Sequence, residues 1–395
     1  MRSTKRPVDR GFTLLEAMIA LLLLTVIMGA FLAMLNTFSG LVKVQGNIAD
    51  TTENMRYTMA ALVRVTRMAG TGGLPVVYPD SGGNLAPLAV DVADNVGATT
   101  TFTSSINSDP WTATAGRTAI AGTDVLRIRG VITSPNYDVF GGNFDDPDAP
   151  TQVDVPETSP WSTDPLNPFF NDMSQPDDHS GRPFLISLQF PLDINPSIGG
   201  QRRYATYRIV EATNDAAGGS SPNQTQVFYI DDTKYTNLNP NGISPGAVPS
   251  TQAYAAGYVD DYIFYIAENN FGEPSLYRLR IDDSGAGPFT AEELVPNVSD
   301  FQVALGCDID IDGSLADDEW YLSEATPAAP TADQFAALRE VRLSVVSRTQ
   351  DPDLKWTADA DMPENAADLS GDDLRYRYRT ITVRVALRSH PQLSQ

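Results

Sequence analysis

Two hydrophobic patterns follow one another along the first part of the chain. From Ala17 to Leu35 every residue is apolar except Thr25 and Gly29, a run long enough to cross a bilayer as a helix at about 1.5 Å per residue. Glu16 stands at its head, and no other charge follows until Lys43. From Leu41 the pattern becomes amphipathic. Leu41, Ile48, Met55, Leu62 and Ala69 recur at heptad spacing, with Val44 and Val65 on the adjoining seam, while Asn47, Asp50, Glu53 and Arg64 take the opposite face. Gly70-Thr71-Gly72-Gly73 is a strong stop, because glycine enters the left-handed cap conformation without strain. The spacing predicts one helix from about Thr13 to Ala69, roughly 85 Å long at the standard rise.

Beyond Gly73 the period changes to two. Strands are predicted at Val125–Ile132, Tyr204–Val210, Val227–Asp231, Asp261–Ala267, Leu276–Ile281, Phe301–Ile311, Glu340–Ser347 and Arg379–Leu387. Residues Glu268 to Pro274 read as a hairpin loop between two of them. The Asp/Pro/Gly/Ser-rich stretches 71–118, 136–182, 213–225, 236–250 and 351–371 read as surface loops. The expected architecture is α+β, with an antiparallel sheet packed on the long helix and no internal repeat.

Charge narrows the partners. Arg2, Lys5, Arg6 and Arg10 outnumber Asp9 ahead of the apolar run, a flank that stays cytoplasmic and sends the rest of the chain outward. The whole chain carries a formal charge of -23, which argues against nucleic acid as a partner. Arg375-Tyr376-Arg377-Tyr378-Arg379 interleaves cations and rings as single-strand binders do, but it also opens a terminal strand whose Ile381, Val383, Val385 and Leu387 face a core. Pairing of those arginines with the abundant carboxylates is the favoured reading. Cys307 is the only cysteine, so no intrachain disulfide forms. No G-x-S-x-G elbow, H-E-x-x-H helix or phosphate loop is present, and catalysis is not expected.

The N-terminal segment admits three readings. A secretory signal would be shorter and would end in a small-x-small site, which no residues after Leu35 supply. A plain anchor fits the length but leaves Glu16 as no more than a charge at a helix N-terminus. Gly11-Phe12-Thr13-Leu14-Leu15-Glu16, after a basic leader and before an apolar helix, closely resembles the type IV prepilin signature. That resemblance implies cleavage between Gly11 and Phe12 by a prepilin peptidase, N-methylation of the new terminal Phe12, and an intersubunit ion pair from Glu16 to a neighbour's α-amino group. Where many pilins carry a kinking proline this chain has Ala33, leaving Gly29 and Gly40 as weak points.

Later stretches are similar to the PilW family of minor pilins. They are Met55-Arg56, Leu62, Arg64 and Arg67-Met68-Ala69-Gly70, then Thr123-Asp124-Val125-Leu126, Pro274-Ser275-Leu276-Tyr277-Arg278, and Leu294-Val295-Pro296-Asn297-Val298 with Phe301. The resemblance implies a leader over 1–11, a helix over 12–70 (12–40 in membrane and filament core, 41–70 amphipathic) and a β-rich body over 71–395. It implies an inner-membrane precursor with a periplasmic body, later part of a filament on a Gram-negative-type cell. Implied partners are other minor and major pilins, the inner-membrane assembly platform and a tip adhesin. A J-type pseudopilin of type II secretion and a calcium-binding surface protein on a simple anchor are the competing readings.

One motif stands apart. Residues Asp308 to Glu319 fit D-x-D-x-D-G-x5-E without a gap. Asp308, Asp310 and Asp312 could converge on a hard cation, Gly313 permits the turn, Ser314 offers a carbonyl and Glu319 closes the shell, so structural Ca2+ is expected. Alternation of Cys307, Ile309 and Ile311 gives the competing reading, in which the aspartates are one face of a strand.

Overall fold

The computed structural model describes residues 13–71, 89–106, 108, 110–114, 116–132, 137–138, 141–143, 151–156, 183–188, 204–215, 225–231, 253–281, 291–335, 337–353, 356–358, 362–364 and 371–387. Residues up to Thr52 form one unit and residues from Glu53 another. A single helix, α1 (Leu14–Arg67), contributes to both.

In the first unit the helix runs unbroken through Gly29 and Gly40. Its large apolar residues from Leu14 to Val42 are exposed on all sides. The few hydroxyls there turn inward: Thr25 donates to the carbonyl of Leu22 at 2.7 Å, Thr37 to that of Ala33 at 3.0 Å, and Ser39 to that of Asn36 at 3.1 Å. A hydroxyl that donates to its own helix backbone leaves no O–H unpaired, which suits a lipid-facing segment.

The second unit opens with the last turns of α1, where Met55 and Leu62 of the predicted stripe, Ala69 just beyond the helix and Met59 beside them are buried. Leu41, placed at the head of that stripe, is 53% exposed and Ile48 is half-buried, so the buried stripe begins later than the heptad spacing predicts. Gly70 caps the helix at φ 70°, as expected, and its N–H donates to the carbonyl of Arg129 at 2.9 Å. The Thr71 hydroxyl then lies 2.7 Å from the Met68 carbonyl and 2.8 Å from that of Val131. So close is this approach that a Cβ on Gly130 would meet the Met68 oxygen at 2.7 Å.

Four strands follow: β1 (Val90–Ala93), β2 (Thr101–Thr103), β3 (Pro110–Thr114) and β4 (Val125–Gly130). Next come β5 (Tyr137–Asp138), β6 (Gly141–Asn143), β7 (Thr151–Pro156), β8 (Pro183–Leu188), β9 (Tyr204–Asp215), β10 (Thr225–Asp231) and β11 (Ala253–Tyr258). The chain closes with β12 (Asp260–Glu268), β13 (Pro274–Ile281), β14 (Ala291–Pro296), β15 (Val298–Cys307), β16 (Trp320–Tyr321), the short helix α2 (Ala332–Phe335), β17 (Leu338–Arg348) and β18 (Tyr378–Ala386).

The expected single sheet is in fact divided. A five-stranded sheet has the order β1-β4-β12-β13-β14, a four-stranded sheet β16-β15-β17-β18, a seven-stranded sheet β5-β11-β8-β9-β10-β7-β6, and β2 pairs with β3. All recorded pairings are antiparallel. Strands β5 to β11 all fall between β4 and β12, which are themselves neighbours with Asp260 opposite Gly130. That excursion therefore leaves and re-enters the five-stranded sheet at one point.

The five-stranded sheet is covered on both faces. Tyr262, Phe264 and Ile266 of β12 join Leu62, Leu126, Val303 and Leu343 in the larger core, while Ile263, Tyr265 and Ala267 face Phe102 and Trp111 of the β2–β3 ribbon. Double-sided cover explains the continuous burial of β1 and β4. It also corrects the expectation that 71–118 is only surface loop. Charge inside this sheet is matched: the Asp261 carboxylate accepts Arg127 Nη2 at 2.5 Å and Arg129 Nε at 3.0 Å. Burial pushes the Asp261 carboxyl up, but the two guanidinium groups overcome this and hold it below its ordinary range. Asp91 accepts from Ser104 at 2.6 Å and from the Trp111 indole at 2.9 Å.

Asp124 ties the two principal sheets together. Its oxygens accept Asn95 N–H at 2.8 Å and Val303 N–H at 2.7 Å, and its own N–H donates to the Phe301 carbonyl at 2.9 Å. Asp300 lies beside it, its Oδ1 accepting Gln302 Nε2 at 2.9 Å and its Oδ2 buried without a donor among the described residues. Burial raises the Asp124 carboxyl well above its ordinary range and pushes Asp300 up to about 6.

Candidate functional site

Gly11 and Phe12 lie outside the described residues. The next turn is described, and there Thr13 N–H and the Thr13 hydroxyl both donate to Glu16 Oε2 at 3.0 Å, while Glu16 N–H donates to the Thr13 hydroxyl at 3.3 Å. This is a capping box, Thr-x-x-Glu, in which two otherwise orphaned helix donors are satisfied reciprocally. The signal was present in the sequence as Thr13-Leu14-Leu15-Glu16 but stood behind the reading of Glu16 as a group for a neighbouring chain. Glu16 thus has a partner within its own chain, and the apolar helix behind it displays no other charge before Lys43.

A second site lies at the end of the four-stranded sheet. Strand β15 stops at Cys307, and Asp308 N–H donates to the Ala337 carbonyl at 3.0 Å. The predicted strand to Ile311 is therefore too long, and the reading of the aspartates as a strand face is excluded. Ile309 and Ile311 are exposed, the latter in the left-handed region at φ 60°, and Gly313 follows at φ 89°. The chain returns through a short 3-10 turn, Asp317–Glu319, into β16, whose Trp320 and Tyr321 sit opposite Gly306 and Leu305. Both ends of the loop are thus fixed in adjacent strands.

The loop brings carboxylate oxygens of Asp308, Asp310 and Asp312 within 4.8 Å of one another. Asp308 Oδ2 accepts Gly313 N–H at 3.2 Å and Arg339 Nη1 at 2.6 Å. Asp312 Oδ1 accepts the N–H of Ser314 at 2.7 Å and its hydroxyl at 2.8 Å, which holds this carboxyl below its ordinary range. Glu319 stands apart from the trio. Its Oε1 accepts Ile309 N–H at 2.9 Å and its Oε2 accepts Ala316 N–H at 2.8 Å, so it staples the two arms of the loop. Cys307 is buried beneath, its thiol pushed up to about 12 by burial and then by the Glu319 charge.

The basic-aromatic run near the C-terminus is engaged internally. Arg377 pairs with Asp353 at 2.8 Å and stacks over Trp356, and Arg375 pairs with Asp372 at 3.4 Å.

Residues 263–389 match the profile of the family described as Type IV Pilus-assembly protein W, and residues 6–32 match the prokaryotic N-terminal methylation motif. Over residues 263–389 the chain is similar to PilW. The PilW-like match runs from β12 through β18 and includes the acidic loop, whereas β5 to β11 lie outside both matched stretches. A type IV-like pilin of Thermus thermophilus is similar in structure at 10% identity, covering 55% of this chain and 91% of that one with a TM-score of 0.19. No curated protein matched the chain. The sequence echoes of the family have structural meaning here: Asn297, at φ 60°, turns β14 into β15, and its carbonyl accepts Arg348 N–H at 2.9 Å and the Ser347 hydroxyl at 2.7 Å.

Proposed function

We propose that this PilW-like chain is a minor pilin that enters a type IV pilus near its tip and helps start polymerisation. In this reading it is made as an inner-membrane precursor with its body in the periplasm. A prepilin peptidase cuts between Gly11 and Phe12, the new amino group of Phe12 is methylated, and the assembly platform draws the subunit out of lipid among other minor and major pilins.

The observation that carries the reading is the first unit of α1. Large apolar side chains from Leu14 to Val42 are exposed on every side of one helix, a surface that only lipid or similar helices could cover. At its head Glu16 holds two neutral donors of Thr13. A neighbour's protonated α-amino group would make a charge-assisted bond, roughly twice as strong as a neutral one, and so would compete for the same carboxylate.

Two substitutions separate the capping role from the intersubunit one. Glu16→Gln retains an oxygen acceptor for Thr13 but removes the charge, whereas Thr13→Ala removes the cap's hydroxyl and leaves the charge. Quantified in sheared filaments by mass spectrometry, the Gln variant is expected to be lost and the Ala variant to be incorporated near normally. Normal incorporation of Glu16→Gln would overturn the ion-pair role. Identical mass of the chain in cells with and without the prepilin peptidase would overturn the pilin reading itself. Crosslinking to pilus subunits, and not to secretion pseudopilins, distinguishes the pilus from the J-type alternative.

A further inference from the structure

We propose that the loop Asp308–Glu319 is a calcium site built into a β-hairpin, with Asp308, Asp310 and Asp312 as its carboxylate ligands and Arg339 as the cation that covers Asp308 when calcium is absent. Three separate features support it. The trio converges, its ligand oxygens lying within 4.8 Å of one another, a distance a single hard cation can span but like charges would avoid. Asp308 is only 8% exposed, and its Oδ1 is shut off from solvent with no donor among the described residues. A dry, unmatched carboxylate oxygen is costly, and it is the kind of group that a cation at the loop would satisfy.

Third, the loop is held from outside the trio. Its ends enter β15 and β16, Glu319 bonds the amides of Ile309 and Ala316, and Leu315 leans on the sheet so closely that a Cβ on Gly306 would meet its Cδ1 at 2.7 Å. A loop fixed in this way loses little freedom on binding. Six to eight oxygens are needed in all, so the three aspartates leave room for loop carbonyls and water. The positions of Glu319's bonds make it a positioning residue that closes the loop. Arg339 donates to Asp308 Oδ2 at 2.6 Å but keeps a side chain 40% exposed, so its head group can withdraw into solvent.

The test uses the full chain in detergent micelles, titrated with Ca2+ and Mg2+ by calorimetry and with Tb3+ by luminescence excited through tryptophan, since Trp320 adjoins the loop. One calcium per chain is expected, in the range of roughly 10⁻⁴ to 10⁻³ M typical of extracellular modules, with Ca2+ displacing Tb3+ and Mg2+ doing so poorly. Asp310→Asn and Asp312→Asn, both at exposed positions, are expected to weaken binding at least tenfold without changing the fold seen by circular dichroism. Asp317→Asn and Asp318→Asn lower the loop's charge equally but should cost less than about twofold. Arg339→Gln should tighten binding severalfold. Equal losses from the Asp310 and Asp317 variants would show a diffuse counterion effect and overturn the site, as would the absence of saturable binding by about 10 mM Ca2+.

Discussion

The two ends of α1 share one backbone and almost nothing else. Towards its start the helix exposes leucines, isoleucines and phenylalanines on all sides and turns its few hydroxyls onto its own carbonyls; towards its end it buries a narrow stripe and leaves the remainder to water. The start is stable only in a medium without water, whereas the end is stable only against the sheets that complete its core. Helix propensity does not distinguish them, since leucine and methionine serve both. What separates them is whether the apolar residues go round the cylinder or run along one side of it.

The largest test of this contrast compares one residue type at two places. Leu62→Ala empties a fully buried position and is expected to cost about 3 kcal/mol, lowering the unfolding midpoint of the full chain in micelles by several degrees. Leu22→Ala, on the exposed segment, should leave that midpoint within about 0.5 kcal/mol. Gly130→Ala attacks the seam at the helix end. Its Cβ would meet backbone, the Met68 oxygen, so neither side can yield easily, and about 2 kcal/mol of destabilisation is expected in the same assay.

The body, unlike the membrane segment, should also respond to pH. The folded state raises the Asp300 carboxyl to about 6 from 3.8, so folding favours its protonated form. The resulting stability is present in acid and is lost as pH rises through about 6; Asp124 acts with the same sign. Thermal unfolding should therefore show the body gaining stability between about pH 7.5 and pH 5. Asp300→Asn should flatten part of that slope and stabilise the protein near pH 7.5 by on the order of 2 kcal/mol. A smaller effect than that of the buried-site changes is expected at the far end of the helix. Thr13→Ala removes a cap worth about 1 kcal/mol, which hydrogen exchange of the first-turn amides would detect with no change in the body's midpoint.

Helix and buried stripe were legible because both are repeating patterns that few folds could produce by accident. So were the hairpin at Asn269–Gly272 and the strands whose faces alternate, such as β18 with Ile381, Val383 and Val385 turned inward. Strand β1 was not, since a strand covered on both faces has no alternation, and Asp91 in its middle looks like a surface residue until Ser104 and Trp111 are placed beside it. At the acidic loop the apolar period carried on through Ile309 and Ile311 after the backbone had already turned; Asp308 is pulled aside by the Ala337 carbonyl, a partner far away in sequence. The motif spacing picked out the three aspartates, but nothing in the spacing could show that Glu319 spends both oxygens on amides or that Arg339 reaches across from β17. Strand patterns at 204–210 and 227–231 were visible, yet their grouping into a separate sheet depends on pairings that no single strand announces.

Because Gly130 and Asp260 face each other across a ladder, the doorway through which the intervening residues leave is only about one strand spacing wide, roughly 5 Å. The β4–β12 ladder pairs Gly130 directly with Asp260, so the residues that grow out between them supply none of that ladder's hydrogen bonds. The frame can keep its hydrogen bonds while the outgrowth is lengthened, exchanged or trimmed to a tight turn, so novelty in this protein has a place to accumulate without putting the scaffold at risk.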